Sequence, residues 1–194
     1  MNQNRKIVLA STSPRRKKLL ADTGLVFEAV APKYEEDMTL PLAPHELAEH
    51  LARGKAESVA VAYPDAIIIA SDTLIGFKEK VLGKPHTSEK ACEMLRMLSG
   101  ETNTIFTGLA MIDTKSGRTI TKVIEARVQF RKLSDQEIGD YVATGEPLDK
   151  AGAFAIQGLG GALIENIEGD WSGAVGLPIS QLLEILRNDF GIRA

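Results

Sequence analysis

With one cysteine in 194 residues, the chain can form no internal disulfide and no cysteine-rich zinc site. Cys92 lies in a helical pattern and reads as a small buried hydrophobe. Histidine is almost as scarce: His45, His50 and His86 stand apart from the acids and from Cys92, which discounts zinc and Ser-His catalysis. Excess charge is missing too. A formal net charge of −3 provides no global field for a nucleic-acid backbone, so a nucleic-acid partner is not expected. A small anion needs only a local basic pocket. No apolar run approaches membrane-spanning length, and the opening MNQNRK enters the first β-branched run without an apolar signal segment. No membrane contact and a cytoplasmic setting are therefore expected. The glycine spacing of a Walker loop is absent before Lys84, and no helix follows Gly158, Gly160 and Gly161 to complete a dinucleotide fingerprint. Neither a repeat nor a linker interrupts the chain, so residues 1–194 read as a single domain.

What is present is ordinary globular composition, 44% hydrophobic and 25% charged, arranged in strand–helix alternation. The organising stretch is IVLASTSPRRKKLL from Ile7 to Leu20. A buried β-branched run stops in Ser11, Thr12 and Ser13, and Ser13 then caps a helix whose first position is Pro14. A helix start offers free N–H groups and partial positive charge, and Arg15 and Arg16 add forked donors suited to phosphate. The same residues also suit a capped surface helix with solvated arginines.

Further along, a short strand is expected over 26–31, followed by the acidic loop Glu35, Glu36 and Asp37, which either faces water or collects a cation. Apolar spacing predicts a helix from Pro44 to Ala62, with Lys55 near its inner face. Lys55 reads equally as a lysine snorkelling from the core edge. AIIIA at 66–70 predicts a strand covered on both faces that ends at Ser71-Asp72-Thr73. A carboxylate just past such a strand lies where open α/β sheets bind ligands. The strand resumes at 74–77, a turn is expected at 78–80, and the LGKP segment follows, with Pro85 biasing Lys84 to extended backbone.

A helix capped by Ser88 is expected to Ser99, then a long hairpin of strands 104–113 and 119–131. Ser134 and Glu137 form a capping box for a helix reaching Thr144. Small residues from Asp149 to Gly161 allow close packing on a ligand or strand. A strand at 162–167, a turn at 169–173 and a C-terminal helix at 179–188 complete the reading. Trp171 in that turn reads as a base-stacking residue or as a structural anchor.

Cations at Arg15, Arg16, Lys55 and Lys84 with acids at Glu35, Glu36 and Asp72 form the inventory that polyphosphate hydrolysis needs. Carboxylate oxygens suit a hard ion such as Mg²⁺ better than zinc. Read unaided, the residues reach phosphate-ester chemistry and no further.

LASTSPRRKKLL from Leu9, EE at 35–36, KA at 55–56, SDT at 71–73, LGKP from Leu82, EPLDKAGAFAIQG from Glu146 and GLPI from Gly176 stand in one order along nearly the whole chain. In this the chain strongly resembles the Maf family of nucleoside triphosphate pyrophosphatases. The resemblance implies an α/β fold with an elongated mixed sheet and flanking helices, similar to the inosine-triphosphate pyrophosphatases, with a cleft between two lobes. It also implies cleavage of a nucleoside triphosphate to monophosphate and pyrophosphate, a divalent cation (Mg²⁺ or Mn²⁺), homodimers and a cytoplasmic setting.

By position it makes Asp72 the general base, with Lys84 beside it in catalysis, and lets Asp72 share the metal with Glu36. Ser11, Ser13, Arg15, Arg16, Lys55 and Lys84 would bind the triphosphate, and Thr73 and Gln157 would help select the base. SPRR, SDT and IQG are similar to the branch preferring dTTP and UTP. The branch resembling 7-methyl-GTP pyrophosphatases would carry a tryptophan in the first motif and another residue after the SD pair. Lys33 departs from the acid or small residue that relatives carry in the acidic loop. The family's septum-related name implies a rival reading, a nucleotide-binding regulator of cell division with secondary or vestigial hydrolysis.

Overall fold

The computed structural model describes residues 5–78 and 80–192. Residues 1–4, where the leader-free start was expected, and Glu79, the middle of the expected turn, lie outside the described residues.

The architecture is mixed α/β, as expected. A seven-stranded sheet has the order β2-β1-β3-β5-β6-β7, with β4 paired to β3. The strands are β1 (Lys6–Ala10), β2 (Glu28–Val30), β3 (Ala66–Phe77), β4 (Lys80–Leu82), β5 (Thr102–Asp113), β6 (Thr119–Phe130) and β7 (Ile164–Gly169). β1 runs parallel to β2 and β3, while β3–β4 and β6–β7 are antiparallel. The helices are α1 (Pro14–Ala21), α2 (Pro44–Ala60), α3 (Ser88–Leu98), α4 (Asp135–Ala143), α5 (Trp171–Val175) and α6 (Ile179–Asp189). Among the described residues no helix is long and apolar enough to cross a membrane.

The chain forms two compact units, one of Met1–Thr73, Thr107–Ile124 and Ser172–Ala194, the other of Leu74–Phe106 and Glu125–Trp171. In the first unit, side-chain alternation along each strand builds two cores. Ile7 and Leu9 of β1 join Ile67 and Ile69 of β3 and Leu182 and Leu186 of α6 on one face. Val8 and Ala10 join Ile68 and Ala70 on the other, against Ala52, Ala56 and Val59 of α2. α2 comes very close to β5: a Cβ on Gly108 would stand 2.1 Å from the Ala48 carbonyl oxygen. In the second unit the rings of Phe130 and Phe154 meet edge to face at 4.9 Å, and α3 packs on α4.

Several boundaries differ from expectation. β3 does not stop at Ser71 but runs unbroken for 12 residues through Ser71-Asp72-Thr73. A strand can carry buried polar side chains through a core where each finds a hydrogen-bond partner; here Ser71 and Asp72 are buried and bonded to distant segments. β2 is only three residues long, and Lys80 belongs to β4 rather than to a turn. Thr87, not Ser88, caps α3, its hydroxyl accepting from Lys90 N–H. Adjacent hydroxyl residues qualify equally by type, and backbone geometry chose between them. The expected turn at 169–173 is instead occupied in part by the short helix α5. The capping box of α4 is present: Ser134 N–H donates to Glu137 Oε2 at 2.9 Å and Glu137 N–H to Ser134 Oγ at 3.2 Å.

Candidate active site

The first unit gathers most of the sequence-expected site residues. β1 ends in the apolar core, and the chain turns sharply: Ser13 N–H donates to Ser11 Oγ at 3.1 Å, and Ser13 Oγ accepts from Arg16 N–H at 3.5 Å. Ser11 is buried at 4% exposure, Pro14 takes the first helical position, and Arg15 stands exposed on the opening turn of α1. The start of α1 thus has the geometry the residues called for.

Arg16 takes a different course from Arg15. It is half-buried and fixed by its fork: Nε donates to the Gly176 carbonyl at 2.9 Å and Nη2 to Thr73 Oγ1 at 3.3 Å. Burial lowers its pKa below the usual guanidinium value, and the negative charge of Asp72 opposes that shift. A guanidinium stays protonated through such a change. Gly176 sits at φ +128°, a backbone conformation that favours glycine, and a Cβ there would stand 3.3 Å from Arg16 Nε. Ser71 Oγ donates to the same Gly176 carbonyl at 2.8 Å. Thr107, fully buried, bonds Thr73 Oγ1 at 3.2 Å and donates to the Gly173 carbonyl at 2.9 Å. These contacts tie α1, β3, β5 and the segment around α5 into one polar network beneath the guanidinium.

On the other face of β3 lies an acid–cation cluster. Lys55 of α2 is 7% exposed, and Asp72 is 6% exposed. The Lys55 ammonium bonds Asp72 Oδ1 and also pairs with Glu36 Oε1 at 2.7 Å. Two carboxylates converging on one ammonium lose much of their mutual repulsion. Tyr34 fixes the approach of the acidic loop, for its ring lies against Gly54 so closely that a Cβ there would be 2.2 Å from the ring. Burial raises the pKa of the Tyr34 hydroxyl, and the neighbouring Glu36 adds to the effect. Glu35 and Lys33 are exposed.

The carboxylates that could hold a metal are Glu36 and Asp72, which converge on the Lys55 ammonium. Among the described residues no three His, Cys, Asp or Glu side chains gather as a metal cluster. By donor chemistry, carboxylate oxygens suit Mg²⁺ or Mn²⁺, which use one or two protein carboxylates completed by water and phosphate oxygens; here both carboxylates pair with the Lys55 ammonium.

Lys84 and Gln157 belong to the second unit. Lys84 is exposed between Gly83 and the buried Pro85, and the Gly83 carbonyl accepts from Gly152 N–H at 3.0 Å. LGKP is thereby laced to the glycine-rich segment. Gln157 is exposed immediately before Gly158.

Sequence reasoning missed Thr107, Tyr34 and the anchoring by Gly173 and Gly176. A threonine in a β-rich run is an ordinary strand residue, and a carbonyl acceptor leaves no mark in a residue type. The GLPI motif is the trace of Gly176 that the sequence carries.

A mixed α/β sheet bearing a fixed guanidinium, a capped helix start and a carboxylate–ammonium–carboxylate cluster defines a class of protein suited to handling phosphate. The particular family follows from comparison: residues 6–189 match the family described as Maf-like protein, and the chain belongs to the Maf family. The dTTP/UTP pyrophosphatase of Thermoanaerobacter sp. (strain X514) is 44% identical over 189 residues, 97% of this chain and 98% of its own. That of Moorella thermoacetica is 45% identical over 181 residues, 93% of each chain. The 7-methyl-GTP pyrophosphatase of Syntrophotalea carbinolica is 43% identical over 189 residues, 96% of this chain and 95% of its own.

Proposed function

We propose that this chain is a hydrolase that cleaves dTTP and UTP, with related non-standard pyrimidine nucleotides, to the monophosphate and pyrophosphate. Membership of the Maf family and relatives bearing that activity in their names support the reading. The observation that carries it is the Lys55–Asp72–Glu36 cluster, a buried carboxylate held by an ammonium on the strand that also supports Arg16.

In this mechanism Asp72 takes a proton from water, whose oxygen bonds to the α-phosphorus as the bond to the bridging oxygen breaks and pyrophosphate leaves. Arg15, the N–H groups at the start of α1, Ser11 and Ser13 bind the polyphosphate, and Arg16 presents a fixed charge. Lys55 offsets the charge that develops on the leaving group. Glu36 and Asp72 would hold a Mg²⁺ or Mn²⁺ ion, which when bound supplies charge neutralisation on the phosphates.

Overall identity does not choose the nucleotide, since a 7-methyl-GTP pyrophosphatase matches about as well as the dTTP/UTP enzymes. The choice rests on SPRR, SDT and IQG. The Gln157 amide carries a donor and an acceptor, matching the paired C=O and N–H of a uracil or thymine edge. We read residues 1–194 as one domain, since β3, β5 and β6 each continue from one unit into the other, and the enzyme as a cytoplasmic homodimer.

Pyrophosphate release from a nucleotide panel, with and without Mg²⁺ or Mn²⁺, tests the reading. Wild type is expected to favour UTP and dTTP and to need the ion. Equal background rates for wild type and Asp72→Asn, with UTP still bound, would defeat it and favour a regulator that only binds nucleotide.

A further inference from the structure

Glu146 opens a 3-10 turn, Glu146–Asp149, in the second unit, and its carboxylate points back at the loop that carries Gln157. Oε2 accepts from Leu159 N–H at 3.0 Å, and Oε1 accepts from Gly160 N–H at 2.9 Å. The Tyr141 hydroxyl of α4 donates to Oε1 at 2.8 Å. Gly158 lies between Gln157 and these amides at φ +142°, and a Cβ on it would stand 2.5 Å from the carboxylate. The carboxylate is therefore pressed onto the loop backbone. Burial pushes the Glu146 carboxyl up, but the hydrogen bonds from Gly160, Leu159 and Tyr141 outweigh it and leave the pKa below the usual value. The carboxylate accepts all three of these hydrogen bonds.

We propose that Glu146 is the positioning residue for Gln157: by fastening the backbone just beyond it, the carboxylate presents the amide in one orientation and so sets nucleobase selectivity. This rests on the pyrophosphatase reading and deepens it. An exposed amide can tell a pyrimidine edge from other bases only if its donor and acceptor are held apart in a fixed direction, since a rotating amide offers either group to any base. Fastening the loop before substrate arrives also removes an ordering cost from binding. Polyphosphate cleavage is left to other residues, so loss of Glu146 acts on the choice of base.

Two measurements on the full chain test this. In hydrogen–deuterium exchange, Glu146→Ala should raise exchange at the Leu159 and Gly160 amides about tenfold while α3 stays protected. In pyrophosphate release, the kcat/KM preference for UTP over ATP should fall about tenfold, through KM for UTP, with kcat for ATP unchanged. Glu146→Gln, which keeps one acceptor oxygen, should fall between wild type and Glu146→Ala, guarding against misfolding as the explanation. Adding Gln157→Ala to Glu146→Ala should cost no further selectivity. Unchanged exchange, an unchanged ranking, or an equal fall for every nucleotide overturns the proposal. A wild-type chain that releases no pyrophosphate overturns the functional reading instead, and unchanged exchange at Leu159 and Gly160 separately overturns the fastening.

Discussion

Asp72 and Thr73 are consecutive in β3 yet serve opposite faces of the strand: Asp72 pairs with Lys55 of α2, while Thr73 accepts from Arg16 of α1. The two-residue period of a strand makes this unavoidable. An acid and a guanidinium are thus held through adjacent residues, each with its own hydrogen-bond partners.

Replacing Lys55 with methionine keeps the buried stem and removes the ammonium shared by Asp72 and Glu36. Breaking a buried pair from one side leaves a charge without compensation, so we expect a loss of about 3 kcal/mol in urea unfolding at neutral pH. A change within experimental error would show that the cluster contributes nothing to folding.

Arg16→Lys retains the positive charge but cannot bond the Gly176 carbonyl and Thr73 together as the fork does. KM for UTP should rise about tenfold, with a smaller change in kcat. Thr107→Val, which removes the hydroxyl under Thr73, should move KM the same way to a lesser extent. Wild-type kinetics for Arg16→Lys would remove the fork from substrate binding.

Gln157→Glu exchanges an amide donor for a negative charge. Preference for UTP and dTTP over other triphosphates should collapse in a competition assay, because a uracil edge needs both halves of the amide. An unaltered substrate ranking would take Gln157 out of base selection.

Gly108→Ala drives a methyl into the Ala48 carbonyl, which is backbone and cannot rotate away. α2 must shift, at a cost of about 1–3 kcal/mol. Because Lys55 rides on that helix, activity should fall along with the melting temperature. Full stability in the variant would mean that the close approach of helix and strand is not required.

Asp113 is held well below the usual carboxylate range, first by the hydrogen bond from Arg5, with Ser116 and the Lys115 amide assisting against burial. A depressed folded pKa stabilises above the unfolded value and is lost as pH falls through the folded one. The stability gap between wild type and Asp113→Asn should be full at pH ~6 and should narrow as the pH drops below ~4. Thermal melts across that range measure it, and a gap independent of pH would contradict the assignment.

The sequence by itself determined the local grammar. Ser13-Pro14 starting α1, the apolar face of α2 and the Ser134–Glu137 capping box are all set by residues within a few positions of one another, and all are present. Tertiary structure decided what long-range pairing controls. β3 runs through Ser71-Asp72-Thr73 because Gly176, Lys55 and Arg16 supply buried partners from distant parts of the chain. Thr107 became visible only in the same way, as did the contacts that Glu146, first residue of the EPLDKAG motif, makes with Tyr141, Leu159 and Gly160. Backbone propensity and capping act between neighbours, whereas a hydrogen bond across 105 residues, such as Ser71 to Gly176, depends on where the sheet brings the chain back.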